Sequence, residues 1–155
     1  MFAEVTIETA ALRALVYAGT IAAAGACLFA TTYPAVSRSV AAVLRWQILI
    51  GVLLVLCVEP FRLVLFQLAI SGGDAELAFG PDMRWMAFQM PNGQAAVARV
   101  AGVLLIVAFG LRVPLLGLFG CGLAIGSYAL EGHTAATAQS GWASMILLVH
   151  LAVAH

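Results

Sequence analysis

Histidine and methionine are two of the side chains in this sequence that can hold a metal ion, and they are unevenly placed. Two of the three histidines mark one stretch. His133 follows Gly132 at a break between apolar runs, and His150 lies inside the next run, in Leu148-Val149-His150-Leu151. A neutral imidazole in an apolar setting either hydrogen-bonds a neighbouring helix or serves as a metal or haem ligand. Three of the five methionines, Met83, Met86 and Met90, recur at i, i+3, i+7. On a helix they make one stripe of thioethers, which favours Cu(I) over harder ions or, more plainly, forms an amphipathic face in the headgroups. A second group is charged. Arg13, Glu59, Arg62, Arg99 and Glu131 stand inside or at the edges of apolar runs, where a charge must face another charge or a water-filled pocket. The plain alternative for these is a structural lattice of salt bridges, with Glu59 pairing Arg62 across i,i+3 and Arg99 pairing Glu131.

The elements that must carry these residues follow from composition. With 64% hydrophobic and 9% charged residues in 155, and a mean hydropathy of +1.08, there is too little polar side chain to coat a soluble globule, so the chain reads as an all-α integral membrane protein. Net charge is zero, with neither a basic tract for nucleic acid nor an acidic tail. Cys27, Cys57 and Cys121 fall in separate apolar runs without metal or disulfide spacing and read as small packing residues. Glu4 and Glu8 precede the first run where a secretory signal would be basic, so that run is expected to be a retained span.

The spans are expected at about 12–33, 46–70, 95–110 and 115–131, with a short or partial fifth beginning near 135 or 142 and running to 155. Pro34 ends the first, Glu59-Pro60-Phe61-Arg62 interrupts the second, and Leu111-Arg112-Val113-Pro114 closes the third. Gly19, Ala23 and Ala26 give the first a small-residue face, and Gly122-Leu123-Ala124-Ile125-Gly126 supplies a GxxxG face in the fourth. From Trp142 to His155 a helix rises only about 21 Å, short of the ~30 Å core. The chain therefore reads as a single transmembrane domain that is a piece of a longer protein. Arg38, Arg45 and Arg112 lie in the connections after spans one and three, while Arg84 sits among acids on the other side. The positive-inside rule puts the N-terminus, the methionine segment and Gly132-His133 outside. At 1.5 Å per residue, Arg13, Glu59, Arg62, Arg99 and Glu131 then share one outer layer, and His150 lies about 12 Å below Trp142, near mid-bilayer.

The order of these features resembles a known family. The segment Asn92-Gly93-Gln94-Ala95-Ala96-Val97-Ala98-Arg99, then Gly132-His133-Thr134, Trp142 and Leu148-Val149-His150-Leu151-Ala152 are similar to the N-terminal half of the bacterial copper resistance D (CopD) family. The resemblance covers most of residues 92 to 154; spans one and two match only in general character. It implies a multi-pass inner-membrane protein that moves or binds copper, working beside a periplasmic CopC-like copper-binding protein. It places copper on His133 and His150 and gives Arg99 a structural part. The methionine stripe belongs to the reading of the residues and not to the resemblance.

Three functions compete. The first is copper transport or copper handling. The second is a cytochrome-like membrane protein with His150 as an axial haem ligand, and the third is a scaffold subunit whose charges only hold helices together. No GxSxG, HExxH or phosphate loop occurs, so an enzyme is not expected.

Overall fold

The computed structural model describes residues 7–131, which are helical throughout except for short turns. The order is α1 (Ile7–Thr32), α2 (Pro34–Ser39), α3 (Ala41–Ile70), α4 (Ala75–Ala78), α5 (Pro81–Gln89), α6 (Pro91–Phe109), α7 (Pro114–Gly126) and α8 (Tyr128–Glu131). Four segments are long and apolar enough to cross a membrane: α1, α3, α6, and α7 with α8 read as one span from Pro114 to Glu131. The chain is thus a helical membrane bundle. The expected fifth span lies outside the described residues.

Proline sets most of the punctuation. Pro34, Pro81, Pro91 and Pro114 open α2, α5, α6 and α7, the position where a missing N–H costs nothing and a fixed φ already suits a helix. Pro60, the fifth proline, lies inside α3. Beyond Ile70 the chain turns through Gly72 and Gly73 at φ of +67° and +89°, with the Gly73 N–H donating to Leu68 O at 2.8 Å. Both glycines adopt the left-handed conformation that commonly closes a helix. Helices α1, α3 and α6 begin four or five residues before the apolar runs do, because helical pairing continues into the headgroup layer, where polar residues are tolerated.

Packing is most extensive between α1 and α3 and between α6 and α7; α1 also lies against α7 and α6, and α3 against α6. In lipid there is no hydrophobic drive between helices, so association depends on close fit. Glycines supply that fit in two reciprocal contacts. A Cβ on Gly19 would lie 2.8 Å from Gly51 O and one on Gly51 2.5 Å from Gly19 O; a Cβ on Gly102 would lie 2.6 Å from Gly120 O and one on Gly120 2.8 Å from Gly102 O. Gly19, Ala23 and Ala26 are buried, the face the sequence led us to expect. In the fourth span the packing face differs from the expected one. Gly117, Gly120, Cys121 and Ala124 are buried, while Gly122 has nothing within 4 Å of a Cβ. At about 100° per residue, Gly122 is turned away from the Gly117–Ala124 stripe, so the first glycine of the GxxxG spacing faces outward, while Gly126 is half-buried.

The core between these helices contains Ala23, Cys27, Ile48, Val52, Val55, Val103, Ile106, Cys121 and Ala124. Cys27 and Cys121 pack within it, their thiols directed at Gly110 O and Ala24 O, each at 3.7 Å. Cys57 is exposed instead. Large apolar side chains such as Trp46, Ile50, Leu53, Leu115 and Phe119 are also exposed, as expected where the surroundings are lipid.

Candidate functional site

One turn of α3 carries Glu59 and Arg62 on the same face because residues three apart on a helix are neighbours. Arg99 comes from the third turn of α6. Glu131 ends α8, with Ser127 and Tyr128 four and three residues before it and so on the same side. The bundle brings all of them together. Arg62 Nη2 lies 2.7 Å from Glu59 Oε1, Arg99 Nη1 lies 2.9 Å from that same oxygen, and Arg99 Nη2 lies 3.0 Å from Glu131 Oε1. Arg62 also pairs with Glu131, Nη1 donating to Oε2 at 3.3 Å. Glu59 is therefore bound from both sides, and Arg62 Nε adds a bond to its Oε2 at 3.3 Å.

These four groups carry two positive and two negative charges, and they lie in the protein interior. Side-chain exposure is 0% for Arg99, 1% for Glu59, 4% for Glu131 and 11% for Arg62. A lone charge here would be very costly, and burial is tolerated only where partners and further hydrogen bonds surround each group. Arg99 shows how this is met. Its Nε donates to Ser127 Oγ at 3.0 Å, and the Ser127 hydroxyl in turn donates to Ala124 O at 2.7 Å. The guanidinium lies over the Tyr128 ring, 4.3 Å from the centroid, an arrangement in which the negative ring face meets the cation. Tyr17 of α1 meets Tyr128 edge to face at 4.4 Å between centroids. Among the described residues Arg99 Nη2 is the one buried side-chain polar atom without an aligned hydrogen bond; it meets Glu131 only as an ion pair.

Of the charged residues the sequence singled out, Glu59, Arg62, Arg99 and Glu131 converge, and Arg13 does not. Arg13 is exposed on α1 and takes part in none of the ion pairs among the described residues. It stands one turn before Val16 and Tyr17 and so on their side of α1, but its side chain is exposed and does not reach the cluster. Depth can be counted along a sequence, whereas facing depends on how α1 rotates against α3. Ser127, Tyr128 and Tyr17 were not anticipated. The signal for the first two was their i−4 and i−3 spacing from Glu131.

The methionines do not form one stripe. Met83 and Met86 belong to α5, but that helix ends at Gln89, and Met90 is the extended residue that caps α6, at φ −71° and ψ 150°. Pro91 is the cause, since it drives the preceding residue out of the helical region. His133 and His150, the expected copper or haem ligands, lie outside the described residues. Among the described residues no three His, Cys, Asp or Glu side chains are grouped as a metal site would require.

Chemically, the cluster is a closed and charge-balanced fastening. Both oxygens of each carboxylate already meet guanidinium nitrogens, which leaves them poorly placed to bind a metal. It ties α3, α6 and α8 together at the end of the bundle from which the chain runs on to His133.

Fold and site together define a multi-pass helical membrane protein whose intramembrane charges are neutralised within its own bundle. The family comparison narrows this class. The chain belongs to the copper resistance protein D-like family, its N-terminal domain model matching residues 5–145. No match was found among curated proteins or among solved structures.

Proposed function

We propose that the chain is the copper-receiving part of a copper-handling protein of the bacterial cytoplasmic membrane, with its N-terminus outside, and that copper is its cargo. His133 takes the ion at the outer end of the bundle, and His150 offers the next donor deeper in the membrane. The observation that carries this reading is the family match, which spans residues 5–145 and so includes His133. The ion-pair cluster supports the choice of histidine over carboxylate, because Glu59 and Glu131 are already engaged by Arg62 and Arg99. In this reading the cluster fixes the end of α8, two residues before His133 in the sequence. Met83 and Met86, both on α5, are auxiliary soft donors, and Met90 is set apart from them. The outward orientation rests on Arg38, Arg45 and Arg112 at the opposite end, and it turns the α4–α5 side toward a periplasmic CopC-like donor.

The experiment is a Cu(I) titration of the purified protein in detergent against a competing chelator. The wild type binds Cu(I), and the His133→Ala, His150→Ala double variant loses that binding while keeping its helical content. Unchanged stoichiometry and affinity in the double variant would refute the assignment. An absorption spectrum of the same sample distinguishes haem, whose Soret band would displace the copper reading.

A further inference from the structure

At the end of the bundle opposite the ion-pair cluster, a cleft of about 400 Å³ opens between α3, α6 and the turn that follows α6. Its apolar walls are Ile48 and Leu49 on one side and Ile106, Val107 and Ala108 on the other, and Arg45 and Arg112 stand at its mouth. Ile48 and Ile106 are buried at its floor, while both arginines are exposed. Neither arginine belongs to any ion pair among the described residues.

Among the described residues no carboxylate is placed to answer them. Glu59 and Glu131 are held by Arg62 and Arg99, Glu8 begins α1 at the far end, and Asp74, Glu76 and Asp82 lie in or beside α4 and α5, also at the far end. None of residues 132–155 carries an acidic side chain. Two guanidiniums at the rim of an apolar cleft at one membrane face make a known kind of headgroup site: arginine binds phosphate oxygens in a planar, two-pronged fashion, and the walls suit the first carbons of acyl chains.

We infer that this cleft binds an anionic phospholipid, its phosphate between Arg45 and Arg112 and its chains against Leu49, Val107 and Ala108. With the orientation proposed above, the lipid belongs to the cytoplasmic leaflet. The inference is independent of the copper reading and of the histidines.

The test is native mass spectrometry of the detergent-purified protein with phosphatidylglycerol, phosphatidylcholine or inorganic phosphate added. Phosphatidylglycerol is retained, whereas phosphatidylcholine and phosphate are not. The Arg45→Gln, Arg112→Gln variant binds phosphatidylglycerol on the order of thirtyfold more weakly, the effect of removing two basic groups from an anionic interface. Arg38→Gln, at the same end but outside the cleft, leaves binding unchanged. Equal retention by the double variant and the wild type overturns the inference, and so does phosphate binding as tight as that of the lipid. If the double variant does not fold, Ala108→Phe fills the cleft from its wall with both arginines kept, and it must lower lipid retention in the same way. A photoreactive side chain at position 108 identifies the occupant in native membranes. A lipid adduct is expected, and an adduct to residues 132–155 of the same chain overturns the assignment.

Discussion

Arg99 is the residue on which the interior of the bundle depends most. It touches both carboxylates of the cluster, Ser127 and the Tyr128 ring, and it is 0% exposed. Replacing it leaves Glu59 and Glu131 with Arg62 alone, in a place where water cannot compensate. Removing one partner of a buried pair costs about 3–5 kcal/mol, and Arg99→Leu is expected to destabilise the protein by that amount. Arg62 makes the same two ion pairs, to Glu59 and Glu131, but is 11% exposed, so solvent and headgroups recover part of the loss. Arg62→Leu should cost less, on the order of 1–3 kcal/mol. Unfolding of both variants by denaturing detergent, followed by circular dichroism, checks the order, and an Arg62 effect equal to or larger than that of Arg99 contradicts it.

At the scale of the helices, the account rests on backbone contacts that only glycine permits. A Cβ on Gly102 would lie 2.6 Å from Gly120 O and from Ala124 N. Both are backbone atoms, so α6 and α7 must separate. Gly102→Ala is expected to lose about 1–3 kcal/mol despite the better helix propensity of alanine. Gly122→Ala, on the same pair of helices but with nothing within 4 Å, should change stability by no more than about 0.5 kcal/mol. The same unfolding assay separates them, and equal effects would show that the glycine face is misassigned.

This contrast also shows what the sequence reveals and what it conceals. Span existence was legible because hydropathy and length decide it, and proline marked where helices start. The ion-pair layer was legible because depth follows from counting residues: Glu59, Arg62, Arg99 and Glu131 fall at one level in three different spans. Rotation about a helix axis was not legible. It is set by which small residues meet across an interface, and so Gly122 turned outward while Gly117 and Gly120 turned in, and Arg13 shared a depth with the cluster without joining it. Met90 was lost from its stripe for a local reason, the proline after it, that the i, i+7 spacing alone did not weigh.

At the scale of the whole molecule, charge is sorted along the membrane normal. Arg38, Arg45 and Arg112 collect at one end. Glu8, Asp74, Glu76 and Asp82 collect at the other, and among the described residues the charges buried between them form one balanced cluster. A bundle built this way has a basic rim at one end, and at the other the chain runs on toward His133. Because the intramembrane carboxylates are neutralised internally, the account assigns copper to imidazole. X-ray absorption at the copper edge of the Cu(I)-loaded protein tests that assignment most directly. Outer-shell scattering from imidazole rings is predicted around the copper. A first shell made of oxygen alone, with no imidazole signature, would contradict it and point to carboxylates as the ligands instead.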